Sequence, residues 1–296
     1  MIRSDYSLLD STIRLAEIAS QAKKMGFAAA VLSDHNTMHG APAFLKACRS
    51  EGIKPIFGLE ADILYHEQTV QFLLLAKDNA GLKNLIHLSS ALCENDQPAS
   101  YEQLCTAAQH CVLIAYGEGG FIDSELIRED RDALMQKLSL MKNELPPFYM
   151  ALSYQESGLW KIKNALLKRC CQPLGIRTAA VNKIYYLNEN DDAIYQIACG
   201  IRLQKTLNEK SLPKVKGRFM RSIQQMEEIY DADDLAATDL ISSECNADMN
   251  LEKTSLPVYQ APAPLTAGQY LTQLCLAGLK KRLQGQDNPA YLSRLK

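Results

Sequence analysis

The sequence contains no C-x-x-C pair, and its nine cysteines are scattered, with only Cys170 and Cys171 adjacent. That pattern excludes a zinc ribbon and gives no disulfide framework, so a reduced, cytoplasmic setting fits best. Neither charge is in clear surplus. Thirty-two Lys and Arg stand against thirty-four Asp and Glu, for a net charge of -2. Global electrostatics therefore do not draw the chain onto nucleic acid, and any such contact has to be local. The opening Met1-Ile2-Arg3-Ser4-Asp5-Tyr6 has no apolar stretch behind a basic start, and no apolar run approaches the roughly eighteen residues of a membrane span. These features predict an untargeted protein with no membrane partner. Internal repeats and low-complexity tracts are also missing. What remains is 296 residues, 47% of them hydrophobic, enough for one large α/β domain or for a barrel of about 200 to 250 residues with an appendage.

Short apolar runs alternate with amphipathic segments. From Asp10 to Lys24, Ile13, Leu15, Ile18 and Ala22 recur at helical spacing, and Gly26 should end that helix. Residues 27–32 form a continuous buried-strand run that delivers Ser33, Asp34, His35 and Asn36. A helix over 41–48 and a strand over 53–60 follow, the strand ending on Glu60. Further strands are expected at 70–75, 112–116, 148–152 and 176–181, each followed by a helix-like stretch. Six or more strand-then-helix units imply an α/β fold on a parallel sheet, open or closed into a barrel. Beyond about residue 203 a basic, turn-rich stretch with Pro213 and Gly217 precedes helices at 222–230 and 235–245. A Pro-spaced linker at 256–264 and a last helix at 267–283 complete the chain, with Lys280, Lys281 and Arg282 in that helix's final turn. The expected division is a barrel core over 1–203, a basic loop, helices and linker over 204–265, and a helical extension over 266–296.

Active sites of such folds form at the carboxyl ends of strands. Asp34 and His35 end one strand and Glu60 ends its neighbour, which together could begin a multinuclear metal site for phosphate-ester hydrolysis. Without context, Asp34 and His35 serve equally well as a helix cap and a satisfied polar pair.

Several segments in order, Ser4 to Asp10, Leu32 to His35, Gly52 to Glu60, Leu73 to Leu85, Ala180 to Leu187 and Phe219 to Ser222, resemble the PHP (polymerase and histidinol phosphatase) domain at the N-terminus of bacterial DNA polymerase III alpha subunits. The resemblance covers nearly the whole chain. It implies a distorted (β/α)7 barrel with a C-terminal helical extension and a place in DNA replication. It also implies a metal site built from a His-x-His, the Asp-His, the Glu, a strand-opening His, a later Glu and an Asp-x-His. Asp34, His35 and Glu60 match those positions as survivors of the site. Met1 and Arg3 stand in the His-x-His, Gln71 for the strand-opening His, Ala151 for the later Glu, and Lys183 and Tyr185 in the Asp-x-His. Fixed cations at Arg3 and Lys183 would oppose divalent ions, and one or both are expected to pair with Asp34 or Glu60.

The resemblance therefore implies a structural and docking module of a DNA-directed DNA polymerase, a nucleotidyltransferase, with a degenerate metal site, no catalytic residues and no metal or other cofactor of its own. The parent polymerase would use Mg2+ in a palm domain. Nothing after Leu265 has room for a palm, so the chain reads as a fragment that does not synthesise DNA alone, and its expected partners are the remainder of the polymerase chain, replisome subunits and template-primer DNA. The alternative is an active phosphoesterase, a 3'-5' exonuclease or pyrophosphatase, using Zn2+ or Mn2+. A free-standing histidinol-phosphatase-like enzyme is disfavoured by the segments at 73–85 and 219–222. Lys205, Lys210, Lys214, Lys216, Arg218 and Arg221 could track a DNA backbone, although a solvated loop or a docking surface fits them equally. His39, His66, His87 and His110 lack ligand spacing.

Overall fold

A computed structural model describes residues 1–95, 97–154, 159–209, 211–212, 216–251, 258–284 and 289–295. The apolar runs form strands β1 (Ala29–His35), β2 (Lys54–Tyr65), β3 (Gln68–Ala76), β4 (Cys111–Tyr116), β5 (Phe148–Ser153) and β6 (Arg177–Val181). They lie side by side in sequence order in one curled sheet. Pairing is parallel for β1 with β2, β4 with β5 and β5 with β6, and antiparallel on both sides of β3. The α/β class and barrel-like curl are as expected, but the sheet is mixed and not wholly parallel. No helix follows β2, because the chain reverses directly into β3 through His66 and Glu67, at φ 46° and 60°. Two consecutive left-handed residues make the tight turn whose twist suits a hairpin. The edges of the sheet meet through Ile2, which bridges Leu32 of β1 on one side and Ile184, just past β6, on the other. Three backbone hydrogen bonds hold this closing segment: Ser33 N to Ile2 O (2.8 Å), Arg3 N to Ile184 O (3.1 Å) and Ile184 N to Met1 O (3.0 Å).

Helices cover the outside: α1 (Leu15–Lys24), α2 (Ala41–Glu51), α3 (Asn79–Asn95), α4 (Tyr101–Ala108), α5 (Asp123–Arg128), α6 (Arg131–Glu144), α7 (Trp160–Cys171) and α8 (Asp192–Leu203). Their apolar stripes, such as Leu15, Ile18, Ala19 and Ala22 of α1, join the outward strand residues Leu32, Phe57, Leu59 and Leu74 in the main core. The first helix starts five residues later than its periodicity predicts, since residues 5–12 are tied into turns against β1. It ends as expected before Gly26, which sits at φ 81°. Inward residues recur at period two: Ile56, Leu73, Leu75, Val112, Ile114, Tyr149, Ala151, Ala179 and Val181 form a second apolar layer. That layer is covered at its lower end, where the parallel strands begin, by α10 (Ala232–Glu244), whose Ile241 joins it. The short α9 (Ile223–Ile229) precedes α10 and opens on a capping box of Ser222 and Gln225.

The chain divides into two compact units, Met1–Met249 and Asn250–Lys296. The second carries α11 (Ala267–Arg282) and α12 (Pro289–Leu295). Thr266 and Gln269 cap the start of α11, and its last turn is basic, as the sequence predicts. The Pro-spaced linker falls partly on 256–257, outside the described residues. Among the described residues no helix is long and apolar enough to cross a membrane.

Candidate functional site: an ionic cluster in the barrel mouth

Strand alternation decides which polar residues enter the barrel. On β1, His35 points inward and Asp34 outward. Asp34 accepts from Ser4 N (2.6 Å), Ser4 Oγ (2.8 Å) and Ser7 Oγ (2.7 Å), pinning the turn that follows the closing segment. Burial pushes its carboxyl above the ordinary value against these hydrogen bonds. Of the two expected partners of Arg3 and Lys183, Asp34 is not the one used: it holds a turn, and the cations meet Glu60.

Glu60, on the inward face of β2, has no exposed surface. Its Oε2 accepts from Arg3 Nε (2.6 Å) and closely contacts Arg3 Nη2, while Lys183 Nζ lies 3.7 Å from Oε1. Burial would raise the Glu60 carboxyl, but Arg3 and Lys183 outweigh burial and hold it below its ordinary range. The ammonium of Lys183 also sits over the Tyr116 ring, 3.6 Å from its centroid, and the Arg3 guanidinium lies 5.0 Å from the centroid of Tyr185. Glu60 Oε1 and the Tyr116 hydroxyl are both buried within this cluster. Burial, together with the neighbouring Glu60 charge, pushes the Tyr116 phenol well above its usual range.

His35 is held between carboxylates. Its Nε2 is 2.9 Å from Asp62 Oδ2 and its Nδ1 3.6 Å from Asp10 Oδ2, and the Gln71 amide beside it hydrogen-bonds Asp62. Burial disfavours the imidazolium, yet Asp10 and Asp62 overcome it and raise His35 to about 9. At neutral pH the ring is therefore charged and both nitrogens carry protons. Asp10 links the two halves of the cluster, meeting Arg3 Nη1 at 3.4 Å and Arg202 Nε at 3.0 Å. Asp62 is further fixed by Asn36, whose Nδ2 donates to Oδ2 (3.0 Å) and whose Oδ1 accepts from Asp62 N (2.9 Å). The acids Asp10, Glu60 and Asp62 thus face the cations Arg3, His35, Lys183 and Arg202.

Sequence reasoning places Arg3, His35, Glu60, Gln71, Lys183 and Tyr185 together, and the structure brings all six into this cluster. Met1 and Ala151 lie lower, in the apolar layer. Asp10, Asp62, Tyr116 and Arg202 escaped the sequence reading as members of the site. Asp62 was within reach, since it continues the inward alternation two residues past Glu60, and Tyr116 ends a strand. Among the basic residues expected to follow DNA, Arg221 is 5% exposed, donates from Nη1 to Asn182 Oδ1 (2.9 Å) and lies over the rings of Tyr154 and Phe219. Arg218 pairs with Glu118 at 3.2 Å, largely covered. Arg221 is corrected to an internal brace, because a guanidinium held by buried partners is not free for a phosphate, and Arg218 is engaged by Glu118. Lys205 donates to Ser211 O (3.2 Å) and Lys216 is exposed. Lys210 and Lys214 lie outside the described residues.

The family model of the PHP domain matches residues 2–156. The chain belongs to the PHP domain family. It is similar over nearly its full length to DNA polymerase III subunit alpha of Bacillus subtilis, at 29% identity over 304 residues, covering 99% of this chain and 27% of that protein. The DNA polymerase III subunit alpha of Borreliella burgdorferi is 30% identical over 315 residues, covering 95% of this chain and 26% of that protein. This PHP domain chain therefore spans about a quarter of the length of the curated relatives it matches. Among solved structures, an amidohydrolase from Chromobacterium violaceum superposes with a TM-score of 0.46 at 11% identity, over 77% of this chain and 94% of its own.

Proposed function

We propose that this PHP domain serves a replicative DNA polymerase of the alpha-subunit type as a structural and docking module, with an ionic cluster where the family resemblance implies a metal centre. The arrangement that carries the reading is Glu60 clamped by Arg3 and approached by Lys183. A zinc ion takes unprotonated nitrogen and free carboxylate donors at about 2.0–2.2 Å. Here one oxygen of the buried Glu60 is taken by a guanidinium, the other faces the Lys183 ammonium at 3.7 Å, and His35 is an imidazolium. A further fixed positive charge, Arg202, faces any incoming cation. The donor set does not fit the ion, and no hydrolytic step is derived through it.

On this reading the chain has no catalytic residue and no cofactor of its own, and Mg2+ belongs to a palm domain of the parent polymerase. The similarity to polymerase alpha subunits supports a cytoplasmic place in DNA replication, with the rest of such a polymerase, other replisome subunits and template-primer DNA as partners. Elemental analysis of protein purified without chelator should find less than one equivalent of Zn, Mn or Fe. Hydrolysis of a chromogenic phosphate ester and of a 3'-mismatched primer, with Zn2+ or Mn2+ added, should stay at background. Two or more bound metals per chain, or turnover abolished by E60Q, would overturn the reading in favour of a phosphoesterase.

A further inference from the structure

The lower half of the barrel holds a second, unrelated feature. Below the ionic cluster the inward side chains enclose a cavity of about 500 Å³. Ala29, Val31, Ile56, Leu75, Ile114 and Ala179 form its walls, with α9 and α10 passing beneath. Closed barrels are ordinarily filled by bulky branched side chains on such positions. Here alanine stands at the inward positions nearest the seam, Ala29 on β1 and Ala179 on β6; Ala179 is fully covered, and the open space lies beside Ala29. Ala29, Val31 and Met1 remain only half-buried although all three belong to the interior layer. The interior is therefore reachable from outside, past Met226 and Glu227 of α9 and Leu235, Thr238 and Asp239 of α10, which line the same cavity.

The chemistry of the walls narrows the occupant. Most strand backbone groups are engaged in the sheet, the outer edges of β1 and β6 excepted, and the Thr238 hydroxyl is spent on Ala180 O at 2.9 Å. The interior thus offers an apolar surface and few free donors. Two carboxylates, Glu227 and Asp239, are exposed on the cavity wall and repel anions from it. Cavities of this size match those that hold small molecules, which commonly occupy about 300–1,000 Å³.

We infer that the lower barrel is a binding chamber for a compact apolar small molecule, uncharged or carrying a cationic head, and closed to carboxylates. The chamber lies at the opposite end of the barrel from the ionic cluster and is independent of the reading given to that cluster.

Isothermal calorimetry of the 296-residue chain with naphthalenemethanol, naphthylmethylamine and naphthoate tests the inference. The alcohol and the amine should bind saturably with one site, and naphthoate at least tenfold more weakly. Ala29→Phe, which fills the chamber, should weaken naphthalenemethanol at least tenfold while circular dichroism is unchanged, and Val31→Phe should act in the same direction. Should both variants fail to fold, xenon NMR of the unaltered protein decides. A saturable xenon shift displaced by naphthalenemethanol supports the chamber, and no displacement removes it. Undiminished binding by a folded, filled variant, or no saturable binding of any probe by the unaltered protein, would overturn the inference. A concentration-dependent dimer that excludes the probes would do the same, because a second chain would then be the occupant.

Discussion

The two halves of the barrel interior are built from the same strands and the same period-two alternation, yet they solve opposite problems. In the upper half, Arg3, His35, Lys183 and Arg202 interlock with Asp10, Glu60 and Asp62. In the lower half, alanine, valine and leucine leave a chamber. Charges in a dry site demand partners, so the upper half is over-determined: each group fixes the position of the next. Apolar walls make no such demand, so the lower half can remain underfilled. A buried ion network is weak evidence of net stability, but removing one member is severe because its partner is left charged and dry. The two regions should therefore answer mutation very differently.

The largest expected effect follows from R3M. Methionine keeps the apolar stem and leaves Glu60 buried with only the distant ammonium of Lys183. A loss of about 3–5 kcal/mol is expected in urea unfolding. Adding E60Q to R3M should recover more than half of that loss, since the uncompensated charge is then gone. If R3M unfolds at the same urea concentration as the parent, the upper half is not the rigid member of the comparison.

The pH dependence comes next. His35 titrates at about 9 in the folded protein, above its unfolded value of 6.5. Its contribution is therefore fully present below pH 6.5 and is lost as pH rises through about 9. Asp10 and Asp62 are lowered: burial opposes this, but the His35 hydrogen bond prevails, joined at Asp10 by Arg3 and Arg202 and at Asp62 by hydrogen bonds from Asn36 and Gln71. Their contribution is present above the unfolded carboxylate range and is lost as pH falls through the depressed values. Stability should peak between these limits and fall by on the order of 2 kcal/mol on the alkaline side. H35N should flatten that alkaline arm. A chain whose melting temperature is constant from pH 6 to 9.5 would show that the imidazole is not held between the two carboxylates.

K183A should have a smaller effect than R3M, about 1–2 kcal/mol in the same unfolding measurement. Its ammonium is 3.7 Å from Glu60 Oε1, beyond a good charge-assisted hydrogen bond, and part of its support comes from the Tyr116 face. Equal losses for K183A and R3M would mean that the carboxylate is shared evenly between them.

How much of this contrast the sequence discloses depends on the kind of signal involved. The strands are legible because continuous apolar runs mark sheets buried on both faces, and all six fall within a few residues of their expected limits. The hairpin at His66 and Glu67 is illegible, since neither residue is the Gly or Asn that usually announces two left-handed positions. Arg3, Glu60 and Lys183 are legible as a group, because strand ends and the family resemblance point to the same places. Asp10 and Arg202 are not: one sits in an aperiodic turn, the other lies near the end of a helix just before the stretch that reads as a basic loop, and only the folded chain joins them beside His35 and Arg3. Asp34 misleads for a geometric reason, since adjacent strand residues face opposite sides and Asp34 and His35 cannot both enter the barrel. The chamber gives almost no signal, because a run such as Ala28 to Ala30 reads as an ordinary strand until the residues opposite it are known.

The smallest predicted effect sharpens the other side of the comparison. Ile56 is buried and borders the chamber. In a filled core, removing one methyl group as I56V commonly costs about 0.5–1.5 kcal/mol, because lost contacts add to the void left behind. Beside an existing chamber the deleted methyl opens little new void, and fewer atoms face it to lose contact. I56V should therefore cost less than about 0.5 kcal/mol, within reach of careful urea titrations. Binding of naphthalenemethanol should be retained, since the chamber is only slightly enlarged. A loss above about 1.5 kcal/mol would mean that the lower half is as tightly determined as the ionic mouth above it, and the contrast between the two halves would fail.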